Sequence, residues 1–448
     1  MASLVQETDS VEIIGDEIIL WDFVRAVKLN IIKLVSGFNI IESLQNNSIV
    51  AEFEINDGID LINYFPIVGE EWIDIKLKTP GAHKVCEYKF FVHRITHSKV
   101  NNIGSQRNYI LHCSTEDYLK NSYTLYSKRY NKNYNQAVEE ALKTDLGSTK
   151  ELEVEPTEGI FDYVTNKLRP FQVINLICER AKSAKYKSDS FVFYEDNEKY
   201  RFLTLEKLIE DRKPKAEKFI YNFHTYHKNE EDNYEKANAN NVISYSTPFQ
   251  GSVFDNIKNG QFHNQVKTFD ILTGDYFTTN EYFNIGGHKE FKPTDNIYDH
   301  NTDAFNNFVS QRNGEYRMVL KDSARPNADK VFAHNDKLHY KRPFYDKIFQ
   351  YFLNIRIYGD TNLLVGDVIK LKIREINGKT KNIKDQERLY TENYLVTEIK
   401  NTFVLAGDGR FSHFMNLDLR KPHFFEKIEK ILAEPKTVSG NSTALNED

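Results

Sequence analysis

A chain of 448 residues with a net charge of −6 has room for about three domains. Its acidic balance excludes a basic nucleic-acid binder as a whole, though not a local basic face. Its 40% hydrophobic and 28% charged residues are those of a globular protein able to bury several cores. No window approaches the run of about 18 apolar residues that a membrane helix needs. Met1 to Asp16 lacks the pattern of a signal peptide. Cys86, Cys113 and Cys178 are an odd number of cysteines at no metal-like spacing. No disulfide framework is expected, and a reducing cytosol is. With 31 Phe and 26 Tyr, the composition favours strands.

Residues 1–20 read as a loosely tethered arm. Val27, Leu29 and Ile31 then alternate with polar neighbours, as do Ala51–Ile55 and Ile73, Ile75 and Leu77. Such alternation predicts half-buried strands. Tyr88–His97 and Asn108–Ser114 form a hairpin around a polar turn at Asn101–Gln106. Leu119, Tyr123, Tyr126 and Tyr130 fall near helical spacing. Asn135–Gly147 predicts a short helix stopped by Gly147, and Pro170 opens another. The second carries the stripe Ile174, Ile177, Cys178, Ala181 and Ala184. Ser190–Tyr194 and Tyr200–Thr204 predict a hairpin, and Leu205–Asp211 a last helix. Lys228–Asn241 reads as a loop, and residues 284–340 show little periodicity. A β pattern returns from Phe349 to Leu419, followed by a polar tail expected to be disordered.

A weak duplication runs through these elements. Val68-Gly69-Glu70 precedes the alternating strand that ends at Lys78, and Val365-Gly366-Asp367 precedes Val368–Ile373. Each is followed by an insertion and an aromatic-to-β-branched strand, Tyr88–Thr96 or Tyr394–Thr402. Each then turns into a final strand, Asn108–Ser114 or Phe411–Leu419. The second turn, Ala406–Gly409, suits a tight reversal because glycine accepts positive φ.

Phe65–Glu71, Lys78-Thr-Pro80, the Tyr118–Tyr130 segment ending in Ser127-Lys-Arg-Tyr130, Arg169–Asn175, Asn240–Tyr245, Asn354–Thr361 and Val365–Ile369 together resemble, in collinear order, the baseplate central hub protein of contractile-tailed bacteriophages. Secretion-system hub proteins are related to that family. The resemblance covers most of residues 20–425 and is weakest between Asn284 and Tyr340. It implies an α+β, mainly β chain with two similar tube-type β-barrel domains, a small α/β domain and an irregular insertion. The expected divisions are an arm (1–20), tube domain one (21–130), the α/β domain (131–212), an irregular β-containing elaboration (213–340) with room for the first strands of tube domain two, tube domain two (341–425) and a tail (426–448). The resemblance further implies a homotrimer whose six similar domains surround a channel that passes DNA without specific binding. Its implied partners are a hexameric tail tube or tube-initiator protein, a central spike on a separate chain, and baseplate wedge proteins. The implied location is the virion baseplate, after assembly in the host cytoplasm.

No catalytic, cofactor-binding or metal-ligating set emerges from the residues. Glu70 and Glu71 would have to face each other across a cleft to act as glycosidase carboxylates, but neighbours on a strand point oppositely. A turn-and-solvent role is expected for them. His93 and His97 share a strand face but stand apart along it, and His112 and Cys113 point oppositely. Lys128–Tyr134 mixes basic and aromatic residues that suit nucleic-acid stacking. A helix end with cations near its C-terminus is the preferred reading. A tail-tip cell-wall hydrolase and a carbohydrate-binding adhesin are the alternatives to a structural hub.

Overall fold

The computed structural model describes residues 10–65, 67–80, 85–97, 107–186, 189–212, 220–223, 242–247, 263–282, 315–332, 334–335, 352–373, 392–407 and 409–420. The first strands are β1 (Ser10–Trp21), β2 (Lys28–Asn30), β3 (Val35–Ser43) and β4 (Val50–Asp57). A helical turn α1 (Leu61–Tyr64) leads to β5 (Trp72–Lys78), β6 (Cys86–His97) and β7 (Arg107–Thr115). Ile73, Ile75 and Leu77 are buried as the alternation required.

The expected arm is corrected over Ser10–Leu20, which belongs to β1 and pairs with β5. Ile13, Ile18 and Leu20 enter the core. Gly15 and Asp16 both adopt positive φ, and the register with β5 shifts between Ile13 and Ile18. This bulge breaks the period-two pattern that would have revealed the strand. Residues 1–9 and the expected tail 426–448 lie outside the described residues.

The next stretch mixes helices and short strands. It contains α2 (Glu116–Tyr123), β8 (Arg129–Lys132), and α3 (Tyr134–Glu139), which continues as a π-helical turn over Glu140–Asp145. Gly147 follows at φ 72°, the left-handed stop expected of it. Then come β9 (Leu152–Val154), β10 (Thr157–Glu158), β11 (Phe161–Val164), α4 (Pro170–Arg180) and β12 (Lys182–Ser183). The hairpin β13 (Phe191–Glu195) and β14 (Tyr200–Thr204) leads into α5 (Leu205–Arg212). The helix expected to carry Tyr126 and Tyr130 stops earlier, at Tyr123. Tyr130 lies instead in β8, buried against Phe161. Ala184 likewise falls beyond α4, past β12.

The stretch expected to be irregular holds β15 (Ile220–Phe223), β16 (Val242–Ser246), β17 (His263–Asp270), β18 (Tyr276–Tyr282), β19 (Glu315–Lys321) and the turn α6 (Ala328–Val331). Strands β17, β18 and β19 form a separate sheet ordered β18-β17-β19. The chain then runs through β20 (Phe352–Tyr358), β21 (Val368–Ile373), β22 (Glu392–Leu405) and β23 (Phe411–Arg420). The expected loop at Lys228–Asn241 and the turn at Asn101–Gln106 lie outside the described residues.

Among the described residues, three hydrophobic cores organise the fold. One gathers β1 and β3–β7 around Phe38, Phe53 and Phe90. A second lies among β20–β23 around Ile355, Val368 and Leu417. The third belongs to the helical stretch, around Tyr134, Ile174 and Phe202. Each fully buried aromatic or aliphatic side chain in these cores contributes about 1.5–3 kcal/mol. The β13–β14 hairpin is buried on both faces. Phe191, Phe193 and Phe202 enter the third core, while Val192, Tyr194 and Leu203 enter the second. The helical stretch is therefore packed onto the strands that follow it.

Candidate functional site: two strand units sharing one hairpin

The same strand order occurs twice. In the first unit the hydrogen-bonded order is β3-β4-β7-β6-β5-β1, and in the second it is β16-β20-β23-β22-β21-β15. Corresponding strands follow one another identically along the chain, with β17–β19 inserted between β16 and β20. One pairing differs, since β1 is antiparallel to β5 whereas β15 is parallel to β21.

Irregularities recur at matching places. The β6–β7 register shifts between Val92 and Arg94, and the β22–β23 register between Val396 and Glu398. The β3–β4 register shifts between Val35 and Gly37, and the β16–β20 register between Val242 and Ser244. A bulge re-aims a strand at a defined position, so matched bulges carry more weight than shared alternation.

The turn ahead of β5 and β21 shows what the Val-Gly-acid signal does. Gly69 and Gly366 adopt positive φ, 94° and 84°. Val92 N donates to Glu71 O at 2.8 Å, and Val396 N donates to Asp367 O at 2.9 Å. The acid matching Asp367 is therefore Glu71, one residue beyond the echo visible in sequence. Glu71 is buried, and its carboxylate accepts from the backbone N–H of Val68 (2.7 Å), Gly69 (3.0 Å) and Glu70 (3.0 Å). Asp367 is buried too and accepts from Leu364 N at 3.0 Å. The solvent role expected of both glutamates thus holds only for Glu70, which is exposed. A buried carboxylate there fills the donors of a tight turn.

The two units are joined by strand pairing. The C-terminal half of β22 pairs with β3, from Glu398↔Ser43 to Val404↔Gly37. The start of β23 pairs with β1 through Phe411↔Val11 and Ser412↔Ser10. With β22 and β23 paired to each other, the circuit β1-β5-β6-β7-β4-β3-β22-β23 closes on itself. The hairpin serves both cores: Leu395, Val396, Leu417 and Leu419 enter the second, while Phe403 and Phe411 enter the first. Strands expected in 341–425 thus complete the sheet expected in 21–130. At the reversal predicted over Ala406–Gly409, Ala406 N donates to Arg410 O at 2.7 Å and Gly409 N to Ala406 O at 3.0 Å, while Asp408 lies outside the described residues.

A polar cluster sits where the cores meet. His413 is buried, stacks on Phe403 and bonds Asn401 Oδ1 through Nε2 at 2.9 Å. Burial pushes its pKa down to about 3. Tyr88 Oη donates to Glu42 Oε1 at 3.0 Å. The β13–β14 turn reaches this region, where Glu195 Oε2 accepts from Ile49 N (3.1 Å) and Thr115 Oγ1 (2.7 Å) of the first unit.

Other sequence candidates find ordinary partners. Arg129 pairs with Asp162 at 3.0 Å, and Lys128 pairs with Glu140 and Asp145 at 2.7 and 2.5 Å. Lys132 also pairs with Glu140. Lys128–Tyr134 is a strand running into the start of α3, which corrects the expected helix end. Its cations are neutralised by protein carboxylates. His93 sits at the β6 bulge, where the strand's alternation is interrupted. Desolvation, and then His112 and Arg94, lower the His93 pKa. Among the described residues no group of three or more His, Cys, Asp or Glu side chains could hold a metal ion. No described helix is long and apolar enough to cross a membrane.

The overall fold is similar to that of a solved tail protein. The tail protein from Neisseria meningitidis superposes with a TM-score of 0.50 at 9% identity, over 92% of this chain and 95% of that one. That likeness shows the fold. A 43 kDa tail protein of prophage MuSo2 from Shewanella oneidensis aligns with a TM-score of 0.47 at 11% identity, over 91% and 98% of the two chains. An E. coli type VI secretion system component, described as structurally similar to the T4 bacteriophage tail proteins gp27 and gp5, aligns at 0.42 and 9% identity over 93% and 79%. No family model matches the sequence, and no curated protein matches it.

Proposed function

We propose that this chain is a structural hub subunit of a contractile phage tail baseplate. The observation that carries this reading is the duplicated strand order, with its matched bulges and matched buried acids, fused side by side in one chain. In this reading β1 and β3–β7 make one tube-type barrel, completed by the shared hairpin. β15, β16 and β20–β23 make the second. Three chains then present six similar units around a channel, so a six-fold tube docks on one side and a three-fold spike on the other. Such a ring needs complementary, ring-closing interfaces and no chemistry. Baseplate wedge proteins contact its outside, and DNA passes without specific binding.

The reading is tested by light scattering on the purified chain, alone and with the tube and spike proteins of the same particle. A trimer, alone or in complex, is the expected mass. A persistent monomer that binds neither partner overturns it. Particle images should place six similar lobes around the tail axis.

A further inference from the structure

A cavity of about 20 Å³ lies between the first and second cores, with room for roughly one water. Its lining includes Glu42 of β3, Tyr88 of β6, Asn197 of the β13–β14 turn, Asp360 of the β20–β21 loop, and Asn401 and His413 of the shared hairpin. β6, the β13–β14 turn, the β20–β21 loop and the shared hairpin therefore meet around Glu42, which is 3% exposed.

We infer that this junction is a proton-dependent latch: protonated Glu42 lets the β13–β14 turn and the shared hairpin stay docked on β3, and ionised Glu42 loosens both. The charges around it support this. From the turn, Glu195 and Asp196 face it. Both are buried acids that already hold the nearby cations. Lys150 Nζ bonds Glu195 Oε1 at 3.0 Å, and Arg201 pairs with Asp196. From β6 the facing groups are Tyr88 and Cys86, from the β20–β21 loop Asp360, and from β23 the neutral His413. An ionised Glu42 would add a negative charge with no cation of its own, in a place that excludes most water. Ile399 of β22 is the cross-strand register partner of Glu42 and shares its face of the sheet, so any displacement of Glu42 bears on the hairpin.

Burial first, and then Asp196, push Glu42 up to about 7, while the Tyr88 hydrogen bond and Lys150 pull it back. The docked state thus holds the proton more tightly than an ordinary, undocked carboxyl, for which 4.5 is the reference. The latch is full below the undocked value and weakens as pH rises through the docked one.

Hydrogen exchange on the full chain at about pH 5.5 and about pH 8.5, corrected for intrinsic rates, tests the latch. The turn Glu195–Glu198, the C-terminal half of β22 and β3 should open together, on the order of thirtyfold more at the higher pH. Glu42→Gln keeps an acceptor for Tyr88 and should abolish the pH dependence in those segments. Equal pH dependence in the variant overturns the inference. The wild-type chain supplies a second test: opening must follow a one-proton titration with a midpoint near the neutral range. A flat profile overturns the latch whether or not the variant folds.

Discussion

Phe403, near the end of β22, stacks on Phe38 of β3 with ring centroids 4.3 Å apart and planes 14° from parallel. Phe38 in turn stacks on Phe53 and meets Phe411 edge-on. An aromatic column thus crosses from the first unit into the shared hairpin. Phe403→Ala should cost about 3–5 kcal/mol, because a fully packed ring leaves a cavity. The loss should reach residues far away in sequence. Amides of β3 and β4 should exchange faster together with those of β22. Urea unfolding and hydrogen exchange check this, and a change confined to β22 and β23 would show that the hairpin is not shared.

The buried and exposed glutamates of the first turn should differ sharply. Glu71→Ala strands the N–H groups of Val68, Gly69 and Glu70 and should cost about 2–4 kcal/mol. Glu70→Ala should stay within about 0.5 kcal/mol, as exposed substitutions do. Asp367→Ala, with its Leu364 bond, should cost about 1–3 kcal/mol. Denaturant midpoints of the three variants would rank them, and a Glu70 effect as large as that of Glu71 would contradict the matched register.

Gly359 and Gly366 are both space-limited. A Cβ on Gly359 would stand 1.9 Å from His413 Nδ1, and one on Gly366 2.6 Å from Tyr194 Oη. Gly366 also needs positive φ, which costs an L-residue about 1–2 kcal/mol by itself. Both Ala variants should destabilise by about 3 kcal/mol, through overpacking at Gly359 and strain plus contact at Gly366. Gly407→Ala, with nothing near its Cβ, is the control. Thermal melts of the three test the contrast.

His413 gives the fold an acid-side liability. Its folded pKa of about 3 lies below the ordinary 6.5, so the folded state holds the ring neutral. Its contribution is fully present above the unfolded value and is lost as pH falls from there toward 3. The loss is up to about 5 kcal/mol. His413→Phe retains a ring against Phe403 and should flatten the acid limb of a stability-versus-pH curve. An unchanged limb would assign it to other groups. Glu42 works in the opposite direction, losing its contribution as pH rises through the neutral range.

Much of this was legible in the residues, for reasons that can be named. Alternation located β4, β5, β21 and β23, and Pro170 and Gly147 placed a helix start and a helix stop, because these signals are local. Bulges hid others. Gly15 and Asp16 disguised β1 as an arm, and the insertion of β17–β19 separated β16 from β20. Within the junction, nothing in the sequence marks Glu42, because a polar residue on a strand reads as solvent-facing until its neighbours are known.

The duplication itself was determined by the sequence, as an echo of Val, Gly and acid before alternating strands. Only the tertiary structure decided which acid belongs to it. Glu70 and Glu71 are indistinguishable by composition, and one turns inward because Val92 must bond the carbonyl of Glu71. Tertiary structure likewise decided that β22 reaches across to β3. Periodicity says which face of a strand is apolar, but a strand's partner depends on edges brought together from opposite ends of the chain.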